Sequence, residues 1–143
     1  MEYPILAIEP HGFTAMLKDS SYWKSLPISY ISLYRKRLNS LVFYGKDGNK
    51  WRLKTIEPDE PIGFFGKIFG GLREIKVRAE FVSIGPYEFM ELQSMFKSSV
   101  EADDDILCQH HSQNQVIEWI NQAKSIGKLF SLYIWIRKDF AKE

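Results

Sequence analysis

An Asp-Gly pair, Asp47-Gly48, lies between two apolar, β-prone runs and constrains the fold of this chain more than any other local feature. Leu41-Val42-Phe43-Tyr44 precedes it, and Trp51-Arg52-Leu53-Lys54-Thr55-Ile56 follows. Glycine tolerates the positive φ that tight hairpin turns demand, so the pattern predicts two antiparallel strands joined by a short turn. Further on, Ile75, Val77, Ala79 and Phe81 alternate with Lys76, Arg78 and Glu80. A period of two places one side of a strand in the core and the other in water. The expected sheet is therefore antiparallel and wet on one side.

Shorter signals fill in the rest. Ile5 to Ile8 reads as a strand broken by Glu9-Pro10-His11-Gly12, with Phe13 to Leu17 as its return. Asp19, Ser20 and Ser21 have the chemistry of a turn or helix cap, and Ile28 to Tyr34 fits a strand or a helix equally. Pro86 suits a first helical turn, Glu88 and Glu91 suit the positive end of a helix dipole, and Phe89, Leu92 and Phe96 share one face. Ser112 with Gln115 forms a capping box for a second helix that carries Val116, Ile120 and Ala123, and Gly127 is placed to end it. Ile106-Leu107-Cys108 reads as a brief strand. Leu129 to Ile136 is either a final strand or a last helix, and its β-branched and aromatic content leans towards strand. Strands followed by helices predict an α+β fold: an antiparallel sheet of about 4–6 strands, with two or three helices packed on one face. Residues 1–143 read as a single domain.

A chain of 143 residues is long enough to bury a core without disulfides or metal. Aromatic residues reach 15%, which calls for a dense core, an adhesive surface, or both. Nineteen Lys and Arg against eighteen Asp and Glu leave a formal charge of +1. That balance supplies no basic field for a polyanion, so nucleic acid is not an expected partner. No apolar run approaches the roughly 18 residues that a bilayer-spanning helix needs. The first residues, Met1 to Leu6, lack the charged and long apolar regions of a signal peptide. A single cysteine, Cys108, excludes an internal disulfide framework and fits a reducing compartment. The expected location is the cytoplasm.

Two segments draw attention as sites. Pro61 to Leu72 places Phe64, Phe65 and Phe69 among four glycines between two strands. Loops in compact domains have a median of about 4–6 residues, so this longer apolar connection either lids the core or presents an adhesive surface. The second segment is Asp103-Asp104-Asp105-Ile106-Leu107-Cys108-Gln109-His110-His111. Cys108 with His110 or His111 lacks the second ligand pair of a zinc site, and the triple Asp lacks calcium-loop spacing, so no metal is expected. A Cys beside Ile106 and Leu107 reads as a small buried hydrophobe rather than a nucleophile. G-x-S-x-G, G-x-G-x-x-G and P-loop patterns are all missing, so no catalytic residue and no cofactor is assigned. Arg35-Lys36-Arg37 reads as a solvated face. The candidate binding residues are Phe64, Phe65, Phe69, Trp23, Asp103, Asp104 and Asp105, with Tyr22 beside Trp23. Aromatic anchors supply contact area at low entropic cost, and acidic residues steer towards basic partners.

The arrangement also has a family look. Leu41 to Ile56 forms a strand, a charged turn and a Trp-led strand, and an alternating strand comes next. Two helices then bracket Asp104-Asp105-Ile106-Leu107, and Ala123-Lys124-Ser125-Ile126 closes the second. Over about residues 40–130 this resembles the small bacterial immunity proteins made beside secreted toxins. The resemblance implies a non-enzymatic protein that neutralises a toxin by covering it, and it transfers no functional residue. The alternative expectation is a small-ligand protein or enzyme with a pocket near Cys108, His110 and His111, where histidine would move protons near neutral pH. A further alternative is peripheral membrane contact through Phe64, Phe65 and Phe69, with Lys67 at the headgroups.

Overall fold

The computed structural model describes residues 1–10, 13–59, 73–102 and 111–142. Among them, strands β1 (Ile5–Glu9) and β2 (Phe13–Leu17) form the first hairpin, in register from Ile5 opposite Leu17 to Glu9 opposite Phe13. A 3-10 turn over Ser20–Trp23 leads into β3 (Ser25–Pro27) and helix α1 (Ile28–Lys36). Next come β4 (Val42–Gly45), β5 (Asn49–Pro58) and β6 (Glu74–Pro86), then α2 (Phe89–Ala102), α3 (Gln113–Gln122) and α4 (Ile126–Lys142). The strands make one curled antiparallel sheet in the order β2-β1-β4-β5-β6-β3. The α+β architecture expected from the sequence is the one observed.

The Asp47-Gly48 turn is built as its chemistry requires. Gly48 has φ of +91°, its N–H donates to the Gly45 carbonyl at 3.2 Å, and the Asp47 carboxylate accepts from the Asn49 N–H at 3.1 Å. The turn joins β4 to β5, with Phe43 opposite Trp51 and Tyr44 opposite Lys50. On its other edge β5 pairs with β6, from Asn49 opposite Pro86 to Pro58 opposite Val77, with irregularities at Asn49/Trp51 and Leu53/Thr55. The basic run at the end of α1 is tied into the fold. Arg35 pairs with Glu57 at 2.7 Å, and Arg37 pairs with Glu9 at 3.0 Å.

Two cores lie on opposite faces of the sheet. All six strands contribute to the first, with Ile5, Ala7, Leu17, Leu26, Phe43, Leu53, Ile56, Ile75 and Val77 packed against Trp23 and against Ile31 and Tyr34 of α1. The second is closed by α2, α3 and α4. It joins Leu6, Ile8 and Tyr44 of the sheet to Leu92, Phe96 and Val100, to Val116 and Ile120, and to Leu129, Phe130, Tyr133 and Ile136. The helices expected on one face are thus α2 to α4, and α1 covers the other. β1 is buried on both faces, which is why Ile5-Leu6-Ala7-Ile8 is continuously apolar. The expectation of a sheet wet on one side is correct for β6, where Lys76, Arg78 and Glu80 are exposed, and incorrect for β1.

Helical boundaries depart from the sequence expectations in three places. Leu129 to Ile136 lies within α4 and is not a strand. Leu129, Phe130, Tyr133 and Ile136 repeat at i, i+1, i+4 and i+7, and burying that stripe outweighs a modest β propensity. α3 ends at Gln122 with Ala123 as its C-cap, so Gly127 belongs to the first turn of α4 and does not end α3. Pro86 closes β6, and α2 begins at Phe89, with the Glu88 carbonyl accepting from the Glu91 N–H at 3.0 Å. The capping residue of α3 is as expected, since the Ser112 hydroxyl oxygen accepts from the Gln115 N–H at 3.1 Å. The brief strand expected at Ile106-Leu107-Cys108 lies outside the described residues.

Candidate functional site

Helices α3 and α4 follow each other through a three-residue connection, Ala123-Lys124-Ser125, and α3 packs more extensively along α2 than along α4. The flanks they leave uncovered frame a groove of roughly 750 Å³, open to solvent. α4 contributes Lys128, Leu132 and Trp135 at i, i+4 and i+7, a stripe beside the one it buries in the core. α3 contributes Trp119, Gln122 and Ala123, and Lys124 stands at the connection. Such a volume is typical of ligand sites, although those usually enclose most of their occupant.

The groove has an aromatic wall. The Trp119 and Trp135 rings meet edge to face, with centroids 4.8 Å apart and planes at 86°. The His111 imidazole stacks on Trp135 at 5.3 Å and 23°, and meets Trp119 at 4.9 Å and 75°. Each ring orients the next, so Trp135 is held in place although 45% of it faces solvent. Its neighbour Ile134 is 46% exposed, which extends the apolar surface past the groove. Among the described residues, no carboxylate lies within ion-pair distance of Lys124 or Lys128.

The residues singled out in the sequence are distributed otherwise. Trp23 is only 8% exposed, and its ring packs against Tyr22 at 4.9 Å, Tyr34 at 5.2 Å, Phe43 at 5.8 Å and Phe81 at 5.1 Å. Its area is used inside the first core, which leaves little for a partner. Tyr22 shares a 2.5 Å hydroxyl–hydroxyl hydrogen bond with Tyr34, whose phenol is held well above its ordinary range by burial. Phe64, Phe65, Phe69, Asp103, Asp104, Asp105, Cys108 and His110 lie outside the described residues. Of the segment read as site-like, His111 alone is described, and it stands at the aromatic wall.

Sequence reasoning missed Trp119 and Trp135. The signal was there, because Lys128, Leu132 and Trp135 keep helical spacing next to the core stripe. The lean towards strand over Leu129 to Ile136 obscures it. A second cavity, roughly 660 Å³, lies beside β3 and β6 and is lined by Trp23, Lys24, Asp59, Lys76 and Arg78 among others. Its walls carry both signs of charge. Among the described residues, no group of three or more His, Cys, Asp or Glu side chains could hold a metal ion. No helix among them is long and apolar enough to cross a membrane. Compared with known proteins, the chain matches no family model, no curated protein and no solved structure.

Proposed function

We propose that this chain is a non-enzymatic binding protein that engages a protein partner through the groove between α3 and α4. The observation that carries this reading is the half-exposed Trp135, braced by Trp119 and His111. Tryptophan is enriched among the residues that dominate binding energy, and an anchor already held in one orientation loses little entropy on association. The finer reading is an immunity-type inhibitor that covers a bacterial toxin. Co-expression with the toxin encoded beside it tests this. Protection should be accompanied by a complex stable on size exclusion, and Trp135→Ala should weaken that complex about 30-fold or more, as expected for a central anchor. A toxin that stays lethal with no complex formed sinks the finer reading. A purified partner that binds Trp135→Ala as well as wild type sinks the assignment of the groove.

One observation favours a small-ligand alternative, namely that His111 packs against both tryptophans that line the groove. A planar ligand would stack on Trp135 and change its fluorescence. A screen with aromatic fragments separates the readings, since fragments that bind wild type and lose affinity with His111→Ala support a ligand site.

A further inference from the structure

We infer that the occupant of the α3–α4 groove is an acidic segment of the partner protein, carrying an aromatic or aliphatic anchor among its carboxylates. This rests on the binding role proposed above and adds the chemistry of the partner.

The groove is apolar along its floor and basic at one end. Lys124 and Lys128 line it there, both exposed and without a carboxylate partner among the described residues. Lys46, in the β4–β5 turn, reaches the same place, its Cε lying 3.9 Å from where a Cβ would stand on Gly127. Lys46, Lys124 and Lys128 thus all stand at or beside the first turn of α4. That turn contains no acidic residue, although the positive end of a helix dipole favours carboxylates and disfavours lysines. Among the described residues, this end of the groove therefore carries positive charge with no carboxylate paired to it, on a chain whose formal charge is only +1. The nearest acidic side chain on α3, Glu118, accepts from Gln122 at 3.2 Å.

Charge complementarity decides between occupants. A second copy of the chain, docked groove to groove, would bring no carboxylate to Lys124 and Lys128, because the described residues lining the groove include none. A nucleic acid would use the lysines but leave Leu132, Ala123 and Trp119 in contact with a charged backbone, and three lysines release few counterions. An acidic segment with one apolar anchor satisfies both halves. Its anchor fills the space beside Trp119, Leu132 and Trp135, and its carboxylates meet Lys124, Lys128 and Lys46.

Panning a random peptide display library on the whole protein tests this directly. The enriched peptides should combine an aromatic or Leu with at least two Asp or Glu. Their affinity should fall about tenfold with Lys124→Glu/Lys128→Glu, fall by a similar factor with Trp135→Ala, and weaken as salt rises. Replacing the peptide carboxylates by Lys should restore binding to the charge-reversed protein. Both lysines are exposed, and circular dichroism of the variant reports whether the fold is retained. Uncharged or basic peptides that still require Trp135 overturn the acidic class and leave the groove as a binding site. Peptides indifferent to Trp135, or no enrichment at all, overturn both.

Discussion

Trp135 and Phe96 show how differently two aromatic residues serve this protein. Phe96 is fully buried in the second core, whereas Trp135 is nearly half exposed and touches mainly Trp119 and His111. Truncating a buried Phe removes its transfer energy and leaves a cavity, so Phe96→Ala should cost about 3–5 kcal/mol in urea unfolding. Trp135→Ala removes a half-exposed ring and its contacts with His111 and Trp119 and should cost less, about 1 kcal/mol, leaving a folded protein in which binding can be measured. If the two variants prove equally destabilising, Trp135 is a structural residue and the groove loses its anchor. The sequence offers little to separate the two, since both are large aromatics at helical spacing. Exposure depends on which neighbours arrive from elsewhere in the chain.

Elements were legible where their signals are local. The Asp47-Gly48 turn, the alternation in β6 and the Ser112 cap each depend on a few adjacent residues, and each is present as its chemistry dictates. The cap also carries a prediction. Ser112→Ala leaves the Gln115 N–H without its acceptor and should destabilise the protein by about 1 kcal/mol, seen as a lower urea midpoint with an unchanged slope. An unchanged midpoint would mean that water replaces the cap at no loss. The strand-or-helix choice for Leu129 to Ile136 is decided non-locally. Ile134, Trp135 and Ile136 are acceptable in a strand or a helix, and the choice is made by the stripe of Leu129, Phe130, Tyr133 and Ile136 against the sheet and α2. Only as a helix does this segment carry a second stripe that forms a groove with α3.

Across the whole molecule, the aromatic excess is used mainly inside. Tyr22, Tyr34, Tyr44, Tyr87 and Tyr133 are all held above the ordinary tyrosine range, burial being the largest cause for each. The Tyr87 hydroxyl donates to the Gly45 carbonyl at 2.5 Å, and the Glu91 carboxylate beside Tyr44 further disfavours its phenolate. In the unfolded chain these phenols titrate near about 10. A folded pKa above the unfolded one means that the unfolded state releases protons first as pH rises. The associated stability is therefore intact below about pH 10 and is lost as pH climbs above it. Urea midpoints should be level from pH 8 to about 9.5 and then fall steeply, with tyrosinate absorbance rising together with unfolding. Tyrosinate appearing well before unfolding would show that the phenols are accessible in the native state.

By itself the sequence determined the turns, the alternating strands, the cap of α3 and the α+β class, because backbone conformation at a turn or a period of two is settled within a few residues. Only the tertiary structure decided that β1 is covered on both faces, that Trp23 faces inward and that Leu129 to Ile136 is helical. It alone placed His111, Trp119 and Trp135 in one aromatic wall beside Lys124 and Lys128. These outcomes depend on surfaces supplied by distant segments, and the free energy of burying apolar area there exceeds the small local preferences a sequence displays.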